Sequence, residues 1–382
     1  MCRWRVAAPR GLKPERLMSS RHLKTFTSLW AMMPHDDSGE ILPYDRICGM
    51  VAEAGYDGMA IDLGAGDVAQ AREVRPHMER AGLTPLIVAF PKSIESLRET
   101  LIMAKDFGAP FVDVIGQVMP LSVDGMIPVI RRWIDMADEV GMPVQFETHR
   151  NCITNDLYAT LCLIDAVPEM RLCADLSHFV VDREFKLPLD PRDAGLIHRI
   201  IERADSFQGR VASRQQIQLQ LDFPQHAKWV ELFRGWWRDG LESWRARNAV
   251  GDCIFLCELG PPEYAMTGAD GREMSNRWEE ALRIRQWVIE MWNEMEDGAA
   301  RATPRSRPGV TRTDRWRGMA VPCRPYPTRR AAMASASTHI SSNMIDTQTQ
   351  AVQPAASNGG DTSTRSAPTR FRPRQPRIIS IA

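Results

Sequence analysis

Eight short apolar, β-rich runs alternate with amphipathic helical segments along this chain, and that alternation leaves few folds open to it. The runs lie at residues 26–32, 58–63, 85–90, 111–115, 144–147, 171–175, 206–211 and 253–258. Between them, apolar stripes of helical period cover 42–54, 68–81, 94–107 and 126–140. Each of these four stops directly before a glycine, at positions 55, 82, 108 and 141, as helices commonly do. Asn155-Asp156 can cap a helix over 157–166, Pro191-Arg192-Asp193 opens one over 194–203, and a long Trp-rich helix is expected over 275–295. Eight such units match a single (β/α)8 barrel of about 250 residues. The rival, a doubly wound open sheet, usually has fewer strands and a Gly-rich first turn. No GxGxxG follows the first run and no GxxxxGK[ST] occurs. The sequence therefore predicts an α/β protein, one TIM barrel over residues 24–298.

The flanks read differently. Residues 1–23 show no periodicity and are expected to be a flexible extension. Residues 299–382 hold 14 arginines, no lysine and three aspartates, a surplus of 11 positive charges in a chain of zero net charge. That stretch, rich in Pro, Ser, Thr and Ala, cannot bury enough apolar surface to offset its ordering entropy, which predicts a disordered tail. A basic arm for an anionic surface is one reading of it. Charge runs are weak signals, and a solvated tail is the simpler account. Over the whole chain, 44% hydrophobic and 25% charged residues are the proportions of a soluble globular protein. No stretch approaches the roughly 18 apolar residues that span a bilayer. The start, MCRWRVAAPRGLKPER, has basic residues with no apolar core behind them, so no secretory signal is expected. Eight cysteines form no CxxC pair, and Cys173, Cys253 and Cys257 read as small buried hydrophobes. A reducing, cytoplasmic setting without a membrane partner follows.

Barrels place their chemistry at the C-terminal ends of strands. In chain order those ends offer Trp30 and His35, then Asp62, Phe90 and Gln117, then Glu147 and His149, Asp175 and His178, Gln208 and Arg210, and finally Glu258. The polar groups crowd into the second half. Three carboxylates, Glu147, Asp175 and Glu258, at the ends of buried strands are costly to desolvate unless a positive charge lies between them. A divalent metal is the expected charge, with the amide oxygen of Gln208 as a fourth donor. An oxygen-dominated set suits Mn²⁺ or Mg²⁺, with Co²⁺ or Zn²⁺ left open. The aromatic cluster Trp229, Phe233, Trp236, Trp237 and Trp244 has helical spacing and is expected to pack a helical excursion after the seventh strand.

The segments FETHRN, LCADLSHF, RVASRQQIQL and ELGPPEY resemble the xylose isomerase-like superfamily of TIM barrels, over roughly residues 24–295. That group includes sugar isomerases, sugar 3-epimerases, inosose dehydratases and, more distantly, endonuclease IV. The resemblance implies a metal held by Glu147, Asp175, Gln208 and Glu258, although the family pattern has histidine where this chain has Gln208. It also implies proton transfer next to a carbonyl, with Glu147 and Glu258 as base and acid and an enediolate stabilised by the metal. His149 and His178 are then placed for substrate hydroxyls or a metal-bound water, and Arg210 for an anionic group. The implied function is a metal-dependent sugar isomerase or epimerase. A dehydratase or lyase, or a degenerate barrel that binds a sugar-like ligand without turnover, are the alternatives. Endonuclease IV needs several histidines from earlier strands, where this chain has Phe90 and Gln117. The expected partner is a small sugar or polyol and not nucleic acid, and a homo-oligomer is left open.

Overall fold

A computed structural model describes residues 21–33 and 42–301; the segments 1–20, 34–41 and 302–382 lie outside the described residues. Most of the expected disordered tail (299–382) and of the expected N-terminal extension falls there, as does His35; residues 299–301 instead continue the last helix.

Eight parallel strands close into a barrel in sequence order: β1 (Arg21–Ser28), β2 (Gly58–Asp62), β3 (Thr84–Ala89), β4 (Val112–Val114), β5 (Val144–Glu147), β6 (Leu172–Ala174), β7 (Ala204–Gln208) and β8 (Gly251–Cys257). Closure is made by β8 on β1, with Arg21 to Thr27 registered against Gly251 to Cys257. The helices are α1 (Tyr44–Glu53), α2 (Val68–Ala81), α3 (Leu97–Phe107), α4 (Val123–Val140), α5 (Leu157–Ala166), α6 (Leu176–Asp182), α7 (Pro191–Ile201), α8 (Ala227–Arg247) and α9 (Arg277–Arg301). None of them is long and apolar enough to cross a membrane.

The local signals act as the sequence suggests. Gly82 and Gly141 end α2 and α4 at φ 71°, a backbone conformation that costs other residues a Cβ clash. Asp156 caps α5 by accepting from Ala159 N at 2.7 Å, and Asp190 caps α7 just before Pro191.

Two strand boundaries differ from the sequence reading. The run at 26–32 is only half strand: β1 starts at Arg21 and ends at Ser28, and Trp30–Met32 forms a 3-10 turn. Met32 is buried in that turn, whereas Leu29, also buried, still donates its N–H to the Ala60 carbonyl of β2 at 2.8 Å, so the pairing outlasts the strand by one residue. β7 ends at Gln208, and Gly209-Arg210-Val211 leaves the sheet into the site. The Trp-rich segment forms the helix expected after the seventh strand, α8, which returns β7 to β8. Trp236, Trp237 and Trp244 are its buried face.

Side chains alternate along each strand with period two, so every second residue enters the barrel. On one side the interior is apolar, with Phe26, Ala60, Leu86, Val88, Ile254 and Leu256 packed together. On β4, β5 and β7 the same inward positions are polar. Ser206 donates to Gln145 at 2.6 Å, and the Gln208 amide reaches Asp113 at 3.4 Å, across the barrel from β7 to β4. This asymmetry sets where chemistry can occur.

Candidate active site

The polar half of the interior opens at the C-terminal ends of the strands into a cavity of about 410 Å³. Glu147, His149, Arg210 and Glu258 line it, and Trp30, Phe90 and Tyr264 form its aromatic walls. Trp30 meets Tyr264 edge to face at 5.0 Å and presses on the Gly260 turn so closely that a Cβ there would lie 2.2 Å from the indole. The Gly-Pro-Pro turn after β8 thus has no room for a side chain at its first position.

Arg210 dominates the electrostatics. Its side chain is 1% exposed and donates through Nη1 to Asp175 Oδ2 at 2.7 Å, through Nη2 to Glu258 Oε2 at 2.9 Å, and through Nε to the Glu258 carbonyl at 3.1 Å. The Tyr264 ring covers it at 4.8 Å. The positive charge required between the carboxylates is therefore supplied, in part, by the protein itself. The expectation is that Arg210 meets a substrate anion; it lines the cavity, with Nε, Nη1 and Nη2 each already donating to Asp175 or Glu258.

The acids divide according to how much of that guanidinium they receive. Burial opposes ionisation of Asp175, but Arg210, His178 and Ser177 outweigh it and hold the carboxyl well below the usual range. Ser177 contributes its N–H at 2.9 Å and its hydroxyl at 2.5 Å, both to Oδ1, so Asp175 also caps α6. Burial pushes Glu258 up to about 8 despite Arg210. Glu147 is raised well above the carboxylate range by burial and then by Asp113, Glu258 and Asp175. Asp113 on β4, fully buried, rises to about 7, again through burial. Asp62, at the end of β2, is likewise raised by burial, although the N–H groups of Ala65 and Gly64 turn back onto it. It shapes the β2–α2 loop, and the cap of α2 is Asp67.

The histidines pack as a pair, with ring centroids 4.1 Å apart. Burial lowers His149 to about 3, with His178 adding to the effect, and burial lowers His178 against the pull of Asp175. Both rings are therefore neutral at ordinary pH. Gln208 points its amide nitrogen at Asp113 and at Cys173 Sγ, while its oxygen has no partner. Glu147 Oε1, Asp113 Oδ1 and His178 Nδ1 are also buried without partners. Four orphaned polar atoms in one cluster call for an ion, water or substrate group.

A divalent ion fits this donor set in spacing: Glu147, Asp175 and Glu258 each offer an oxygen within 4.8 Å of the others. In occupancy the fit is incomplete, since one oxygen of Asp175 and one of Glu258 are already held by the guanidinium.

Sequence reasoning missed Asp113 and Tyr264. Asp113 had a signal: an acid inside the run Val112–Val114, where period two directs it inward. Tyr264 had none, because its role depends on a loop folding back over Arg210.

No protein-family model matches the chain, and no curated protein does. Among solved structures, it is similar to a xylose isomerase-like TIM barrel protein from Mycobacterium smegmatis in complex with magnesium, at 15% identity over 71% of this chain and 98% of that one, TM-score 0.48. An L-ribulose 3-epimerase matches at 15% identity over 75% and 100%, TM-score 0.48. A probable 3-DHS dehydratase from Bacillus anthracis matches at 14% over 72% and 99%, TM-score 0.42. The chain is thus similar to xylose isomerase-like barrels, a sugar epimerase and a dehydratase.

Proposed function

We propose that this protein is an isomerase or epimerase of a small polyhydroxylated carbonyl compound, acting by proton transfer through Glu147 and Glu258. One observation carries the reading. Two buried glutamates line the same cavity, both pushed above the normal carboxylate range, Glu258 to about 8. Groups so placed can take a proton from carbon and return it near neutral pH. His149 offers a neutral ring nitrogen to a substrate hydroxyl.

A divalent ion bound beside these carboxylates would supply Lewis-acid polarisation of the substrate carbonyl. Mn²⁺ or Mg²⁺ on Glu147, Asp175, Gln208 and Glu258 is the arrangement the family resemblance implies, but Arg210 already holds one oxygen each of Asp175 and Glu258.

The test is deuterium incorporation from D₂O into a panel of ketoses, aldoses and inososes, measured by proton NMR with the full chain. Exchange at the carbon next to the carbonyl supports the reading, and Glu258→Gln should abolish it with the fold intact. Retained exchange in that variant refutes the role of Glu258. The commitment of Arg210 to Asp175 and Glu258 favours a second reading, a barrel that binds such a ligand without turnover; binding by calorimetry with no exchange is its signature.

A further inference from the structure

Arg210 holds the ground between Asp175 and Glu258, yet the cluster keeps unspent donors, and they gather around the other partners of Glu147. Glu147 Oε1 and His178 Nδ1 belong to side chains 1% exposed, and neither atom has a hydrogen-bond partner. His149 completes the group. Glu147, His149 and His178 each offer one ligand atom, all within 4.8 Å of one another. Both imidazoles are braced from behind. His149 Nδ1 meets the Arg150 carbonyl at 2.5 Å, which holds a proton on Nδ1 and leaves the lone pair on Nε2. On His178, Nε2 lies 3.4 Å from Asp175 Oδ2 and 3.3 Å from Arg210 Nη1. An Arg210 N–H can only donate, so it favours an accepting Nε2 and a ring proton on the orphaned Nδ1; an ion at Nδ1 would take that proton's place and turn an Nε2–H towards Asp175. A carbonyl or carboxylate behind each ring is the support that metal-binding histidines almost always have.

We propose that Glu147, His149 and His178 form a divalent-metal site, and that the ion sits there in preference to the set Glu147, Asp175, Gln208 and Glu258. Two neutral imidazoles and one carboxylate, with positions left open for a substrate, suit Zn²⁺, Co²⁺, Fe²⁺ or Mn²⁺ over Mg²⁺. The local charge accommodates such an ion, because Asp113, Glu147, Asp175 and Glu258 stand against one guanidinium. The site deepens the proton-transfer reading of the same cavity and can fail independently of it.

The test is titration of the metal-free full chain with Co²⁺, Zn²⁺ and Mg²⁺, followed by calorimetry and by the visible spectrum of bound Co²⁺. One Co²⁺ per chain is expected, with Mg²⁺ binding far more weakly. His149→Gln and His178→Asn should each weaken Co²⁺ by more than the roughly 10–100-fold that loss of an outer partner costs, whereas Glu258→Gln should stay within about 3-fold. Circular dichroism checks that each variant folds. Should a histidine variant not fold, nitrogen couplings in the pulsed EPR spectrum of the Cu²⁺-loaded wild-type protein count the imidazoles, and two are expected. The proposal is overturned if the histidine variants bind Co²⁺ as the wild type does, if affinity is lost with Glu258→Gln, or if the wild type binds no ion at millimolar concentration. Deuterium exchange run in parallel separates the two readings: exchange by an ion-free protein removes the metal site and leaves the proton-transfer function standing.

Discussion

Replacing Arg210 by methionine removes the one guanidinium that holds two buried carboxylates together. The wild-type contacts are 2.7 Å to Asp175 and 2.9 Å to Glu258. At an effective dielectric of about 20, each represents roughly 6 kcal/mol of gross attraction. Most of that is offset by the desolvation of the charged groups, and Glu258, raised to about 8, is only partly ionised at pH 7.5, so the contacts themselves add little net stability. Removing one partner is a different matter. Asp175, the ionised partner at pH 7.5, remains buried without its counter-ion, which typically costs about 3–5 kcal/mol. Methionine fills much of the arginine stem's volume, and Asp175 retains the two bonds from Ser177, so the lower end is expected, about 3 kcal/mol. With a urea slope of about 2–3 kcal/mol per molar, the midpoint should fall by about 1 M. The assay is urea denaturation in EDTA at pH 7.5, followed by far-UV circular dichroism and tryptophan fluorescence. The cost also depends on pH. Asp175 has its folded pKa depressed, so its contribution is complete above the ordinary carboxyl value of about 3.9 and is lost as pH falls through the folded value. The gap between wild type and variant should therefore narrow in acid. A midpoint within about 0.2 M of wild type, or a gap that widens in acid, refutes the account.

Asp113→Asn acts in the opposite direction. The buried acid is raised to about 7, so it penalises folding increasingly between the unfolded carboxyl value and that pH. The variant should be more stable than wild type by about 2–4 kcal/mol at pH 8 and equal to it below about pH 4, read by thermal melts. Gly260→Ala brings a Cβ to 2.2 Å from the Trp30 ring, so the turn or the cavity wall must move. A loss of about 1–3 kcal/mol in urea denaturation is expected. Trp237→Phe removes the indole N–H donated to the Gln208 carbonyl at 3.2 Å and leaves that oxygen buried and unpaired. It should cost about 1–3 kcal/mol, and an unchanged urea midpoint would show that the bond contributes nothing.

Much of the barrel is legible in the chain because its signals are local. The β-rich runs, the apolar stripes and the glycines at 82, 108 and 141 each report on a neighbourhood of a few residues. The errors came where burial and strand pairing separate: Met32 is apolar and buried in the 3-10 turn after β1, outside the sheet. The short helix α6 went unseen because seven residues starting at Asp175 carry too little period to register.

For the site, the sequence by itself placed Glu147, Asp175, Gln208, Arg210 and Glu258 at one end of a barrel, since each follows directly from its strand. What it could not decide is which charge answers which. Arg210 lies two residues beyond β7, and only the closure of the sheet brings it between acids from β6 and β8, 35 and 48 residues away in the chain. The same closure brings His149 beside His178 and leaves Glu147 Oε1 and His178 Nδ1 without partners. Strand order is encoded locally, by pattern and turn. Charge pairing is a property of distances across the barrel, and those exist only after eight strands have met.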